Sequence, residues 1–181
     1  MSIDFTIMQI RGFISDMVIH EIHMKELQIR NHLHSLEERV TCRSRKITCV
    51  VVNYKMEVVG EGTNNPAPTM DCVSYARTLG HTLEDDGRCP RRILGFKSGQ
   101  GLELCRAHHA ERESIKDAQS KGIDVRGMSM YMDCECPCHL CADAIVNAGI
   151  KEIYIKDHPD YDPRGREILH NGGVVIKTWI K

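Results

Sequence analysis

The 181-residue chain is poor in aromatic side chains, with three Phe, five Tyr and one Trp. Proteins that hold single-stranded nucleic acid stack bases on aromatic platforms along a basic groove, and neither component is evident here. Charge of one sign is also lacking. The 24 basic and 25 acidic residues leave a formal net charge of −1, so nothing draws the whole chain toward a phosphate backbone. No apolar run approaches the roughly 18 residues that begin to suggest a membrane span, and no secretory signal is recognisable. These absences exclude a membrane partner, disfavour nucleic acid and point to a soluble, cytoplasmic protein. The length suffices for one domain with a sizeable core.

Cysteine is plentiful. Nine Cys accompany ten His, and in a reducing compartment such residues bind metal more often than they form disulfides. Two stretches organise the rest: His109-Ala110-Glu111 and Pro137-Cys138-His139-Leu140-Cys141. Together they offer one imidazole and two thiolates to a Zn²⁺, with a carboxylate that is not a ligand. Three protein ligands leave the fourth tetrahedral position open, and the metal lowers the pKa of a water there toward about 7. His109 and Glu111 lie two positions apart, about 200° around a helix. They border one cavity only when the helix N-terminus points into it. Pro137 marks a second helix start, so two helix dipoles favour the thiolates. Alone, Cys-x-x-Cys is usually a structural knuckle or redox pair, and His-x-Glu a solvated helix face. In this combination they form the signature of a hydrolytic zinc site in which Glu111 moves protons.

These residues resemble the cytidine/deoxycytidylate deaminase superfamily, and further motifs resemble its phage-type deoxycytidylate (dCMP) deaminases. Cys42-Arg43-Ser44-Arg45-Lys46, leading into the apolar run Ile47 to Val52, looks like the family's Cys-x-Ser-x-Lys/Arg and strand. Gly60-Glu61-Gly62-Thr63-Asn64-Asn65-Pro66 looks like its Gly-x-Asn-Gly-x-Pro, and Ala148-Gly149-Ile150-Lys151 like its Ala-Gly-Ile-Lys. The resemblance covers about residues 40 to 181. It implies an α/β fold of three α/β/α layers around a mixed five-stranded sheet, here preceded by an N-terminal helical arm. It implies zinc-dependent hydrolysis of dCMP to dUMP and ammonia, with Asn64 and Ala110 contacting the substrate. It also implies a homo-oligomer, commonly a hexamer, and dCTP or dTTP as effector. Alternatives are a deaminase of dCTP, a modified cytosine, a purine, RNA or single-stranded DNA, or a zinc-stabilised binding module with an inactive site. Two departures bear on this choice: Glu111-Arg112-Glu113-Ser114-Ile115 replaces Glu-x-Asn-Ala-Ile, and Ile47-Thr48-Cys49-Val50 replaces Val-Gly-Ala-Val. Both leave the zinc chemistry intact and open the choice of base and sugar.

The chain divides into an arm over 1–38 and a catalytic domain over 39–181 with an insert at 70–105. In the arm, Ile3, Ile7, Ile10, Ile14 and Met17, then Ile22, Ile29, Leu33 and Leu36, recur at helical spacing. The arm's His20, His23, His32 and His34 read as solvated. Residues 47–53 and 56–60 read as a hairpin, and the Gly/Asn/Pro-rich loop at 62–68 as pocket lining. The long insert must be functional or stapled. By resemblance its staple is a second, structural zinc on Cys42 and Cys72, with Cys105 preferred over Cys89, His81 and His108 as a further ligand. The opposing reading is a set of buried free thiols. A substrate phosphate would take its cations from Arg43, Lys46, Arg88, Arg91 and Arg92. Beyond the helix at 109–120, strands at 128–132, 151–155 and 174–180 alternate with helices at 138–147 and 163–171, which predicts parallel pairing. Cys134 and Cys136 fall on extended backbone and are passed over as ligands for Cys138 and Cys141.

Overall fold

The computed structural model describes the backbone of residues 3–97, 100–160 and 162–178, with side chains from residue 16 onward within those spans. The chain separates into two compact units, residues 1–32 and 33–181. Helix α1 (Ile3–Leu36) supplies the first. Its Met17, Val18, Ile19 and Ile22 are exposed, and the side chains of Ile3, Ile7, Ile10 and Ile14 lie outside the described residues. Among the described residues no helix is long and apolar enough to cross a membrane.

The second unit is built on β1 (Thr48–Val52), β2 (Val58–Thr63), β3 (Asn65–Pro66), α2 (Cys72–Thr78), α3 (Pro90–Ile93), β4 (Ala107–His108), α4 (Ala110–Ser120), β5 (Ser129–Met132), α5 (His139–Ala148), β6 (Glu152–Ile155), α6 (Pro163–Asn171) and β7 (Val175–Thr178). Five strands form one mixed sheet in the order β2-β1-β5-β6-β7. β1 pairs antiparallel with β2 and β5, because a tight turn joins the hairpin. The β5-β6-β7 ladder is parallel, because helices cross between its strands. Every residue of β1 is buried, as its unbroken apolar run requires of a central strand.

On one face, Cys49, Val51, Met130, Met132, Ile153 and Ile155 join Ala110, Ile115 and Ala118 of α4, Ala142 and Ile145 of α5 and Leu169 of α6 in one core. Each large apolar side chain fully buried there contributes about 1.5–3 kcal/mol. Val50, Val52 and Tyr131 alternate to the other face and are buried too, so both faces of the sheet are covered. Two glycines set the depth of α4. A Cβ on Gly62 would stand 2.0 Å from the Ala110 carbonyl oxygen, and one on Gly60 would stand 2.2 Å from that of Ser114. The insert has a small core of its own, Val73, Ala76, Leu83 and Leu104. Asp71 opens its first helix by accepting from the Val73 and Ser74 N–H groups at 2.9 and 3.0 Å. The insert returns through β4, where Asn65 pairs with His108 and Pro66 with Ala107, and this pairing delivers the next residue, His109.

Candidate metal centre and substrate pocket

His109 and Cys138 are the N-cap residues of α4 and α5, so both side chains stand at helix starts, where unpaired N–H groups and dipoles favour anions. The His109 Nδ1 lies 3.2 Å from the Cys141 Sγ and 3.5 Å from the Cys138 Sγ. Donor atoms of these three residues all fall within 4.8 Å of one another. The Cys138 thiol is pulled down to about 4 by a hydrogen bond from the Cys141 thiol, aided by His109, and the Cys141 thiol is raised in return. His109 is pushed up to about 10 by hydrogen bonding to Cys105 and then Cys138. One imidazole and two thiols make a donor set suited to zinc with an open fourth position.

Glu111, in the first turn of α4, lines the same cavity and is buried. Burial raises its pKa, opposed by His109. The cavity spans about 700 Å³ including its open mouth. Ser44, Arg45, Asn64, Arg91, Arg92, Glu135 and Cys136 line it beside the metal-type donors.

Asn64 lines the cavity while tying its rim. Its Oδ1 accepts from the Ile47 N–H, and its Nδ2 donates to the Arg45 carbonyl, each at 2.8 Å. Ala110 is fully buried beneath Gly62 at the start of α4. Of the five candidate phosphate cations, the structure brings Arg91 and Arg92 to the cavity. Arg43 is paired with Asp85 and Arg88 with Asp86. The sequence reading missed Arg45 and Glu135, which face each other in a two-pronged ion pair at 2.5 Å. Arg45 falls on an unspecified position of the Cys-x-Ser-x-Lys/Arg motif, whose basic residue is Lys46, so neither Arg45 nor Glu135 had a local signal.

Among the described residues the group of metal-type donors within reach of one another is His109, Cys138 and Cys141, and Cys42, Cys72 and Cys105 do not form a second one. Burial raises the Cys72 thiol, and Cys105, Cys42 and Cys89 raise it further. His108 instead pairs with Glu113 at 3.4 Å and lines another cavity with Arg39, Glu61 and Asn65. The departures from the family pattern meet in the core: Ser114 Oγ lies 3.3 Å from Cys49 Sγ and 2.9 Å from the Glu111 carbonyl oxygen. Neither side chain lines the substrate cavity.

The chain is similar to known proteins. The deoxycytidylate deaminase of phage T4 is 27% identical over 178 residues, covering 84% of this chain and 89% of its own length. That of Schizosaccharomyces pombe is 24% identical over 144 residues; the match takes in 79% of this chain but only 40% of the yeast protein. The dCMP deaminase of cyanophage S-TIM5, solved in complex with dCMP and dUMP, superposes with a TM-score of 0.61 at 18% identity, over 87% of this chain and 97% of that one, and so shares its fold. The family description "Cytidine and deoxycytidylate deaminase zinc-binding region" matches residues 23–157, which include both helix starts and all three metal-type donors. The chain is a member of the cytidine and deoxycytidylate deaminase zinc-binding family.

Proposed function

We propose that the chain is a zinc-dependent hydrolytic deaminase of a cytosine nucleotide, dCMP, forming dUMP and ammonia. The observation that carries this reading is Glu111 buried in the cavity that His109 and Cys138 line, with the Cys141 donor within 4.8 Å of theirs. Zinc held by those three residues would supply a water ionised at neutral pH. Glu111 would take the first proton of the attacking water to the ring nitrogen of the base as the C4–O bond forms, then carry the proton of the new C4 hydroxyl to the amine as the C4–N bond breaks. Ammonia leaves from C4 and a uracil remains. Such proton transfer typically contributes about 10² to 10⁴ in rate. Asn64, fixed by its two main-chain bonds, would present its remaining amide valences toward the base or sugar; Ala110, buried in the core at the start of α4, does not line the cavity, and its proposed substrate contact would have to come through its main chain. Arg91 and Arg92 supply charge for the phosphate, which favours a nucleotide over a nucleoside.

The test is ammonia release by zinc-loaded protein across free bases, nucleosides, mono- and triphosphates and short single strands. Turnover confined to dCMP is expected. Turnover of single strands alone would overturn the substrate assignment, and zinc content without ammonia release from any member would favour a binding module.

Cys42, Cys72, Cys89 and Cys105 are proposed to hold a second, structural zinc that fastens the insert, drawing closer together on binding it than they stand here. Structural zinc contributes about 10–16 kcal/mol in zinc-finger peptides. Two zinc equivalents per chain, falling to one in Cys72→Ser, are expected; one equivalent in both proteins would reject this site. The exposed Met17, Val18, Ile19 and Ile22 of α1 support assembly with further copies of the chain, and light scattering showing a monomer at micromolar concentration would reject it. The cysteine-rich donor sets fit a reducing, cytoplasmic setting.

A further inference from the structure

The start of α6 is built against the loop that carries the zinc thiols. A Cβ on Gly165 would stand 1.9 Å from the Pro137 carbonyl oxygen, so the helix meets that loop backbone to backbone. Just before it, Asp162 is buried and serves two helices at once. Its Oδ1 accepts from the Arg164 N–H at 3.2 Å as the N-cap of α6. Its Oδ2 accepts from the His139 N–H at 3.1 Å and stands 2.7 Å from the His139 Nδ1. The Arg164 guanidinium closes over the carboxylate, Nε at 2.9 Å and Nη2 at 3.0 Å.

His139 is the first residue of α5, and the Cys138 N-cap makes no side-chain capping bond there. The early N–H groups of a helix have no partner within it, so Asp162 fixes the main chain between the two thiol-bearing residues. A carboxylate between two helix N-termini is favoured by both dipoles, and the arginine completes its hydrogen bonding. None of these groups lines the substrate cavity, so the deamination steps do not use them.

We propose that Asp162 is a positioning residue for the zinc thiolates: by holding the His139 N–H it keeps Cys138 and Cys141 in register with His109. This rests on the reading that those three residues bind zinc. Outer partners that orient metal ligands are typically worth 10–100-fold in affinity, about the loss expected here.

Asp162→Ser separates this role from ordinary capping, because serine still caps α6 but is too short to reach α5. His139→Ala removes the ring and keeps the main-chain N–H. Affinity is read by chelator competition and by the cobalt(II)–thiolate absorption, with Cys138→Ser as the blank. Asp162→Ser is expected to weaken metal binding about 10–100-fold while the metal-stripped protein still folds and unfolds cooperatively. His139→Ala is expected to remain within about threefold, well short of that loss. Wild-type affinity in Asp162→Ser, or an equal loss in His139→Ala, overturns the positioning role. A wild-type protein with no absorption above the Cys138→Ser blank overturns instead the zinc assignment beneath it.

Discussion

Cys49 and Ser114, which stand where related sequences carry small apolar residues, touch each other at 3.3 Å beneath the carbonyl of Glu111. Both are fully buried. Cys49 and Ser114 therefore compensate one another: the Ser114 hydroxyl finds sulfur and carbonyl acceptors instead of standing unsatisfied in the core. They belong to packing behind the site rather than to choice of base.

A double-mutant cycle checks this. Cys49→Ala and Ser114→Ala, singly and together, should show a coupling of about 0.5–1.5 kcal/mol in unfolding free energy. Their ranking of nucleotide substrates should match wild type. A changed substrate ranking in either variant would return these residues to the specificity argument.

Gly62 gives a second prediction. Its missing side chain lets α4 approach to where a Cβ would meet the Ala110 oxygen at 2.0 Å and the Ser114 nitrogen at 2.5 Å. Both neighbours are backbone and cannot swing aside. Gly62→Ala should cost about 1–3 kcal/mol of stability as overpacking and reduce zinc retention by shifting His109. Denaturant unfolding together with zinc content after chelator challenge measures both, and unchanged values would show that α4 can move without disturbing the centre.

Acid should weaken the α5–α6 junction through Asp162. The Arg164 guanidinium, working against burial and helped by His139, holds this carboxyl well below its usual range. A carboxyl depressed in the folded state contributes stability that is fully present above its unfolded pKa of about 3.9 and is lost as the pH falls toward the folded value. Asp162→Asn keeps a capping oxygen but loses the charge, and should therefore cost about 1 kcal/mol at pH 7, with a smaller deficit at pH 3. Urea unfolding at both pH values measures the difference, and an equal deficit would deny the ionised carboxylate its role.

The legible parts of the chain were those governed by short-range rules. The alternation of β5, α5, β6, α6 and β7 follows from apolar periodicity and from Gly149, whose positive φ of 76° closes α5. His109 and Cys138 were legible as helix starts because His-x-Glu and Pro-Cys-x-x-Cys carry their spacing with them. The two-residue strands β3 and β4 are too short for any period. The facing of Arg45 by Glu135, 90 positions away, exists only once the chain has folded. Asp162 was invisible for the same reason, since its contacts with His139 span 23 positions.

The central claim is that Glu111 moves protons beside a zinc it does not bind. Glu111→Gln, compared with wild type for zinc content and for dUMP formation from dCMP, tests it most directly. The account predicts full zinc occupancy with turnover lowered by at least about 10²-fold. A zinc-loaded Glu111→Gln protein that turns over dCMP at the wild-type rate would contradict it.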